Sequence, residues 1–492
     1  MTRGGVVLWN PRSSLGRKPI VPLALLSIAA GIDWPWAIVD SNLVGDPVAA
    51  LEAALRAFTG TRVLAVTVMP GPQLREALPV CREIKRRFPD VVVVWGGYFP
   101  TQHWEVVTRT AECVDVVARG HADRTFPALL AALEHGTDFG RIPGLAWRSA
   151  GSVRTSGRAE VPHPRDLPPL PLEAIDLAPY VRRTVLGERT LGYSSSYGCP
   201  FRCNFCAVVT MDSATWKAQS AEGVVAMLRA LKARYDIDSV EFYDNNFFVS
   251  ESRVAAIARG IADLGIRWWG EGRVDTLLKW SDETLALAAR SGLHMIFLGA
   301  ESGSAETLAR MDKGGTLTPA DTLALVARLD RFQIIPECSF VLGNPPDPEA
   351  DLEGTLAFVR TVKSANPRTE IILYLYSPEP VPGELLSAAQ ERGFRYPDSV
   401  DAWLSPRWRE FAQRRTAHSW LRPSLRTRLK EFERVLNAYH PTSTDPHLAG
   451  PMRVLLRGLA AWRWHGRIYR LPLELAFAQR MLRYQRPETS GF

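Results

Sequence analysis

The sequence predicts an α/β protein in three parts: a doubly wound, Rossmann-like sheet, a partial (β/α)6 barrel, and a helical C-terminal segment. Three observations carry that expectation. Apolar strand candidates alternate with helical periodicity as far as about residue 135, the pattern of a parallel sheet covered on both faces. A stretch rich in Pro and Arg follows at 140–185. A second series of six strand–helix units then runs to about residue 395, short of the eight that close a full barrel. The expected divisions are 1–140, a linker at 141–185, 186–395 and 396–492.

In the first part the strand candidates are Val6–Trp9, Trp36–Val39, Val63–Val68, Val91–Trp95 and Val114–Ala118. Helical spacing places Pro47–Phe58, Leu74–Phe88 and Arg124–Glu134 between them. Ligands of such sheets sit at the carboxyl ends of the strands. There the chain carries Thr67-Val-Met-Pro-Gly, Trp95-Gly-Gly-Tyr-Phe-Pro and Arg119-Gly-His-Ala-Asp. Arg165-Asp-Leu-Pro-Pro-Leu-Pro-Leu marks the linker. The second part offers strands at Thr190–Ser195, Ser239–Tyr243, Arg267–Gly272, Met295–Gly299, Ile335–Val341 and Glu370–Tyr374. Its connecting helices include Ala221–Tyr235, Ser252–Leu264, Asp282–Ser291, Pro319–Phe332 and Leu352–Ser364. Past 395 two arginine-rich helical patterns remain, near 407–439 and 451–484.

The longest apolar stretches, such as Val21 to Ile32, are too short or too broken to span a bilayer, which takes about 20 residues. The N-terminus shows no cleavable leader, so a cytoplasmic protein is expected. Six cysteines do not build a disulfide scaffold in a chain this long, and Cys81, Cys113 and Cys338 stand apart as buried thiols. The net charge of +7 is uneven: residues 401–492 hold 17 Lys/Arg against 7 Asp/Glu, the first 400 hold 42 against 45. Only the tail is basic, which argues against specific nucleic-acid binding by the whole chain.

Cys199, Cys203 and Cys206 fall in Tyr197-Gly-Cys-Pro-Phe-Arg-Cys-Asn-Phe-Cys, directly after a strand. Thiolates hold iron–sulfur clusters, and this tight spacing lets one loop take three corners of a cubane. The fourth iron is then free for a chelating substrate. A three-thiol zinc site and three core cysteines are the alternatives. Structural zinc takes four ligands, and the nearest histidines are His163 and His294.

This stretch resembles the signature of the radical S-adenosylmethionine superfamily, and the resemblance covers about 186–395. It implies a [4Fe–4S] cluster on the three cysteines, with S-adenosylmethionine held by the open iron and cleaved by one electron from the cluster. Flavodoxin or ferredoxin would be the electron donor. Phe205 matches the aromatic residue before the last cysteine. Glu241-Phe-Tyr-Asp, Glu271-Gly-Arg-Val-Asp and Gly299-Ala-Glu-Ser resemble later strand ends of that family. The resemblance implies Asp244 at the barrel mouth, Arg273 forked on the cofactor carboxylate, Glu301 and Ser302 bonded to its ribose or amino-acid part, and Gly343 close to adenine.

The first part resembles the cobalamin-binding domain of B12-dependent members of the same superfamily. Thr67 and Val68, the turn Gly96-Gly97-Tyr98 and Gly120 carry that likeness and are the expected corrin contacts. Asp-x-His-x-x-Gly, which supplies a histidine to cobalt elsewhere, is missing, as in many members of the class. Gly120-His-Ala-Asp stands where an acidic Gly-Glu-x-Glu is frequent. The resemblance implies a methyltransferase acting on an unactivated carbon of a small molecule, with no side chain needed as acid or base. An oxidative cyclase or rearrangement enzyme with the same cofactors is the first alternative, and a non-catalytic cobalamin- or RNA-binding module the second. Tryptophans among arginines in the tail suit RNA, a membrane surface or an acidic substrate. A helical cap over the barrel mouth is the favoured reading, and an amphipathic substrate its corollary.

Overall fold

The computed structural model describes residues 4–13, 19–313, 315, 317–412, 420–442, 448 and 450–482. Two large sheets organise them, the first mixed and the second wholly parallel. The first has seven strands in the order Trp36–Asp40, Gly5–Asn10, Arg62–Thr67, Val92–Gly96, Val116–Ala118, Leu145–Ser149, Ser152–Thr155. Its first five members run parallel, and all six residues of Gly5–Asn10 are buried, as a central strand covered on both faces requires.

The last two strands of this sheet correct the expectation of a linker at 141–185. They form an antiparallel hairpin on the sheet edge, turning at Ala150 and Gly151, both at positive φ. The next residues are also fastened. Leu177 and Tyr180 pack with Leu26 of the first part and Leu191 of the second, and the Tyr180 hydroxyl donates to Asp40 at 2.9 Å. Prolines there start short 3-10 turns at Pro164–Asp166, Leu172–Ala174 and Ala178–Tyr180. The apolar stretch around Val21 is a short helix, Leu23–Ala30, seated on this sheet.

The second sheet is wholly parallel, in the order Thr190–Tyr193, Ser239–Phe242, Arg267–Arg273, Leu293–Glu301, Ile335–Leu342, Glu370–Leu375. Sequential strands are spatial neighbours, so this is an open six-unit barrel. Local chemistry starts its helices: Ser220 caps Ala221–Tyr235, and Thr318 with Asp321 forms a capping box ahead of Pro319–Asp330. Trp268 is fully buried on the outer face of the sheet against Phe242, Phe247 and Phe248. Removing so large a side chain costs about 3–5 kcal/mol.

The described C-terminal helices are Val400–Trp403, Pro406–Ala412, Pro423–Tyr439, Gly450–Gly466 and Leu473–Met481. Parts of both arginine-rich patterns, 413–419 and 483–484, lie outside the described residues, as do 443–447 and 449 between them. Trp403 packs on Phe99 and His103 of the first part, and Arg82 grips Asp401 with two hydrogen bonds of 2.9 and 2.7 Å. Among the described residues no helix is long and apolar enough to cross a membrane.

Candidate active site

The three cysteines lie in a loop held at its base by a small antiparallel hairpin, Ser196–Gly198 with Trp216–Ala218, which the sequence pattern did not reveal. Gly198 has φ +73°, and a Cβ there would come within 2.1 Å of the Thr215 carbonyl, so only glycine starts this loop. The Cys206 amide donates to the Cys203 carbonyl at 3.2 Å. Arg273 Nη1 donates to Cys203 Sγ at 3.1 Å, and Asn246 Nδ2 to Cys199 Sγ at 3.8 Å. Burial pushes the Cys199 thiol above its ordinary value.

This donor set suits a cubane. Cluster sulfurs and their thiolates are stabilised by hydrogen bonds, which Arg273 and Asn246 are placed to give. Asn204 and Asn246 each keep a buried carbonyl oxygen without a partner. Among the described residues no three His, Cys, Asp or Glu side chains are gathered as a single metal ion requires. A cubane spreads its ligands over separate corners.

At the barrel mouth, several expected contacts have other occupations. Asp244 is fully buried, accepting from the Ser195 amide at 3.0 Å, the Ser195 hydroxyl at 2.8 Å and the Ser196 hydroxyl. It therefore fixes the strand that leads into the cysteine loop. The Arg273 fork is taken by Asp275, through Nε at 3.0 Å and Nη2 at 2.7 Å. Its face lies 3.8 Å from the Phe201 ring. Ser302 is buried among Asp351, Thr355 and the Ser304 amide. Gly343 is covered by the C-terminal segment: the Trp420 indole donates to its carbonyl at 3.0 Å, and a Cβ would meet Leu421 at 2.8 Å. Asp244, Ser302 and Gly343 thus each have protein partners of their own.

Glu301 has a partner of its own as well. A register shift between Gly299 and Glu301 sets it at φ +63°, where it pairs with Lys313, itself almost wholly buried and 5.9 Å from the Phe205 ring. Lys313 escaped the sequence reading. It lies twelve positions on in a loop, and the nearest signal was a buried-strand glutamate that needs a cation. Deeper in the lumen, burial together with Glu337 and Asp244 pushes the Glu271 carboxyl up to about 8.

The corrin-contact candidates converge at one end of the first sheet. The Val68 amide donates to the Gly96 carbonyl, and the Phe99 amide to the Val68 carbonyl, both at 2.9 Å. Gly97 has φ +90°, and a Cβ would stand 2.9 Å from the Thr67 hydroxyl. The Gly120 amide donates to Thr101 at 3.0 Å. Tyr98 opens the short helix Tyr98–Gln102. Backbone dominates this surface.

The two sites meet at the helix Val208–Asp212, which follows Cys206. Gln102 donates to the Ala207 carbonyl at 3.1 Å and accepts from Thr210 at 2.5 Å. His121 pairs with Asp212, and its ring lies 4.6 Å from Tyr197. Ser27 stands 3.0 Å from the Tyr197 hydroxyl and bonds Asp123. The Gly-His-Ala-Asp departure thus faces the cysteine loop.

Two family models match: the Radical SAM superfamily over residues 193–359 and the B12 binding domain over residues 20–130. The chain thus carries a radical SAM domain and, ahead of it, a B12-binding domain. These two domains call for a [4Fe–4S] cluster, S-adenosylmethionine and cobalamin as cofactors. It is 30% identical over 290 residues to an uncharacterized methyltransferase of Pyrococcus horikoshii, covering 58% of this chain and 61% of that one. It is 25% identical over 340 residues to the anaerobic magnesium-protoporphyrin IX monomethyl ester cyclase of Synechocystis, covering 65% and 66%. The chain thus spans about two thirds or less of these relatives. Its fold is similar to that of the radical S-adenosylmethionine methyltransferase TsrM from Kitasatospora setae, solved with cobalamin and a [4Fe–4S] cluster, at TM-score 0.67, 17% identity, and 98% and 99% coverage.

Proposed function

We propose that this chain is a cobalamin-dependent methyltransferase that moves a methyl group to an unactivated carbon of a small molecule. The observation that carries the reading is the apposition of the cysteine loop and the glycine-rich strand ends through Gln102, Ala207 and Thr210. Bound together, the cofactors supply a 5′-deoxyadenosyl radical and a transferable methyl group.

The chain's own residues position and enclose. Residues 1–140 would hold the corrin, with Thr67, Val68, Gly96, Gly97, Tyr98 and Gly120 against it. Residues 186–395 would hold the cluster on Cys199, Cys203 and Cys206. Glu301 and Lys313 offer opposite charges to the ammonium and carboxylate of S-adenosylmethionine. Arg273, locked by Asp275, donates to a cluster thiolate, and Asp244 keeps the loop entry in place. Trp420 and Leu421, which sit on Gly343, would exclude water by covering the fifth strand end. Flavodoxin or ferredoxin would supply the electron.

The test is incubation of anaerobically reconstituted protein with methyl-deuterated S-adenosylmethionine, a reductant and candidate substrates. A labelled methyl in the product, with 5′-deoxyadenosine formed, is the expected result. Deoxyadenosine with a ring closed or rearranged and no label would instead assign the cyclase reaction that the likeness to the Synechocystis protein keeps in view.

A further inference from the structure

Exposed large apolar side chains are concentrated in one segment. Among the described residues thirteen are strongly exposed, and ten of them lie between Met452 and Met481. The helix Gly450–Gly466 buries Leu456, Ala460 and Trp464, with Trp464 stacked on Tyr439 at 5.5 Å. Beside that face Met452, Leu455, Leu459 and Trp462 form a second stripe at helical spacing, Leu455 and Trp462 each 55% exposed. The helix Leu473–Met481 repeats the arrangement: Leu475 is buried, while Leu473, Phe477 and Met481 are 66–69% exposed at intervals of four. The helices come together in a small cluster of Leu448, Leu456, Ala478 and Leu482, so the stripes flank one contact.

Charge selects the occupant. Residues 450–482 hold six arginines and one glutamate, and Glu474 is already engaged by Arg463. A second copy docking on this face would bring the same positive charge against it. Apolar stripes of Leu, Met, Phe and Trp edged by arginine, on helices of 17 and 9 residues, match segments that lie in a membrane interface without spanning it.

We propose that residues 450–482 seat the protein on an anionic lipid surface, both helices lying in the interface plane with Leu455, Trp462 and Phe477 at the acyl boundary. The proposal stands apart from the cofactor chemistry, and its failure would leave that reading intact.

Flotation of the full-length protein with vesicles tests it. Recovery with phosphatidylcholine–phosphatidylglycerol vesicles should exceed recovery with phosphatidylcholine alone by about tenfold or more, and fall as salt rises. The double variant Leu455→Glu/Phe477→Glu should lose binding with an unchanged thermal transition, since both side chains are exposed. Arg467→Glu/Arg470→Glu, which keeps every apolar group, should lose the preference for phosphatidylglycerol. No flotation of the native protein, equal flotation on both vesicles, or native-like binding by both variants would overturn the proposal. So would a dimer in light scattering that Leu455→Glu/Phe477→Glu dissociates while vesicles stay unbound.

Discussion

At the end of the first sheet the candidate contacts are neutral and made largely of backbone: the Val68–Gly96 ladder, Gly97 at positive φ, and the Gly120 amide on Thr101. At the mouth of the barrel the corresponding ends are charged, and the charges are already matched: Arg273 with Asp275, Glu301 with Lys313, Asp244 with two serines. The second sheet and the first five strands of the first are parallel, and in both the candidate residues lie at the carboxyl ends. The contrast follows from the ligands expected there. A broad corrin needs close approach and little charge. A cluster with a zwitterionic cofactor needs buried charges whose desolvation is offset before the ligand arrives.

The contrast can be broken most sharply at the charged end. Replacing Cys199, Cys203 or Cys206 with alanine should abolish deoxyadenosine formation while corrin content persists, measured by product chromatography beside corrin absorbance. Surviving deoxyadenosine formation would remove the basis for the cluster assignment.

Next in size is a pH effect on the cofactor-free chain. Glu271 sits at about 8 against the usual 4.5. Between those values the folded chain keeps a proton that the unfolded chain has lost. Stability therefore falls as pH rises through that window, by up to about 1.4 kcal/mol per pH unit. Glu271→Gln should flatten that fall and be more stable than the native chain above pH 8, as denaturant melts across the window would record.

Asp244→Asn tests whether the buried charge organises the loop. It should cost about 1–3 kcal/mol and lower the iron content after reconstitution, leaving corrin uptake unchanged. The smallest effect belongs to the neutral end. Gly97→Ala forces a side chain into left-handed backbone near the Thr67 hydroxyl, at about 1–2 kcal/mol. Corrin per chain should drop while iron per chain holds. If iron fell equally, the two ends would not be separable.

Much of this was legible in the residues. All six barrel strands lie where apolar runs placed them, and Ala221–Tyr235 is helical over the expected span because Ser220 caps it. The cysteine spacing announced the loop. Less legible was which way a side chain turns at a strand end. Ser302 follows Glu301 directly, yet the register shift at Gly299 sends one toward Lys313 and the other toward Asp351. Gly343 looked like room for a ligand, but the room is filled by Leu421 from far along the chain. The hairpin at 145–155 was hidden by the prolines and arginines that follow it.

The five-residue helix after Cys206 belongs to both halves of the molecule, gripped by Gln102 and His121 on one side and continuous with a cluster cysteine on the other. Any coupling between the two candidate sites would therefore pass through a single short element. By reciprocity, whatever tightening the corrin gives the thiols, the iron centre returns to the corrin. Maturation in either order must arrive at the same doubly loaded state.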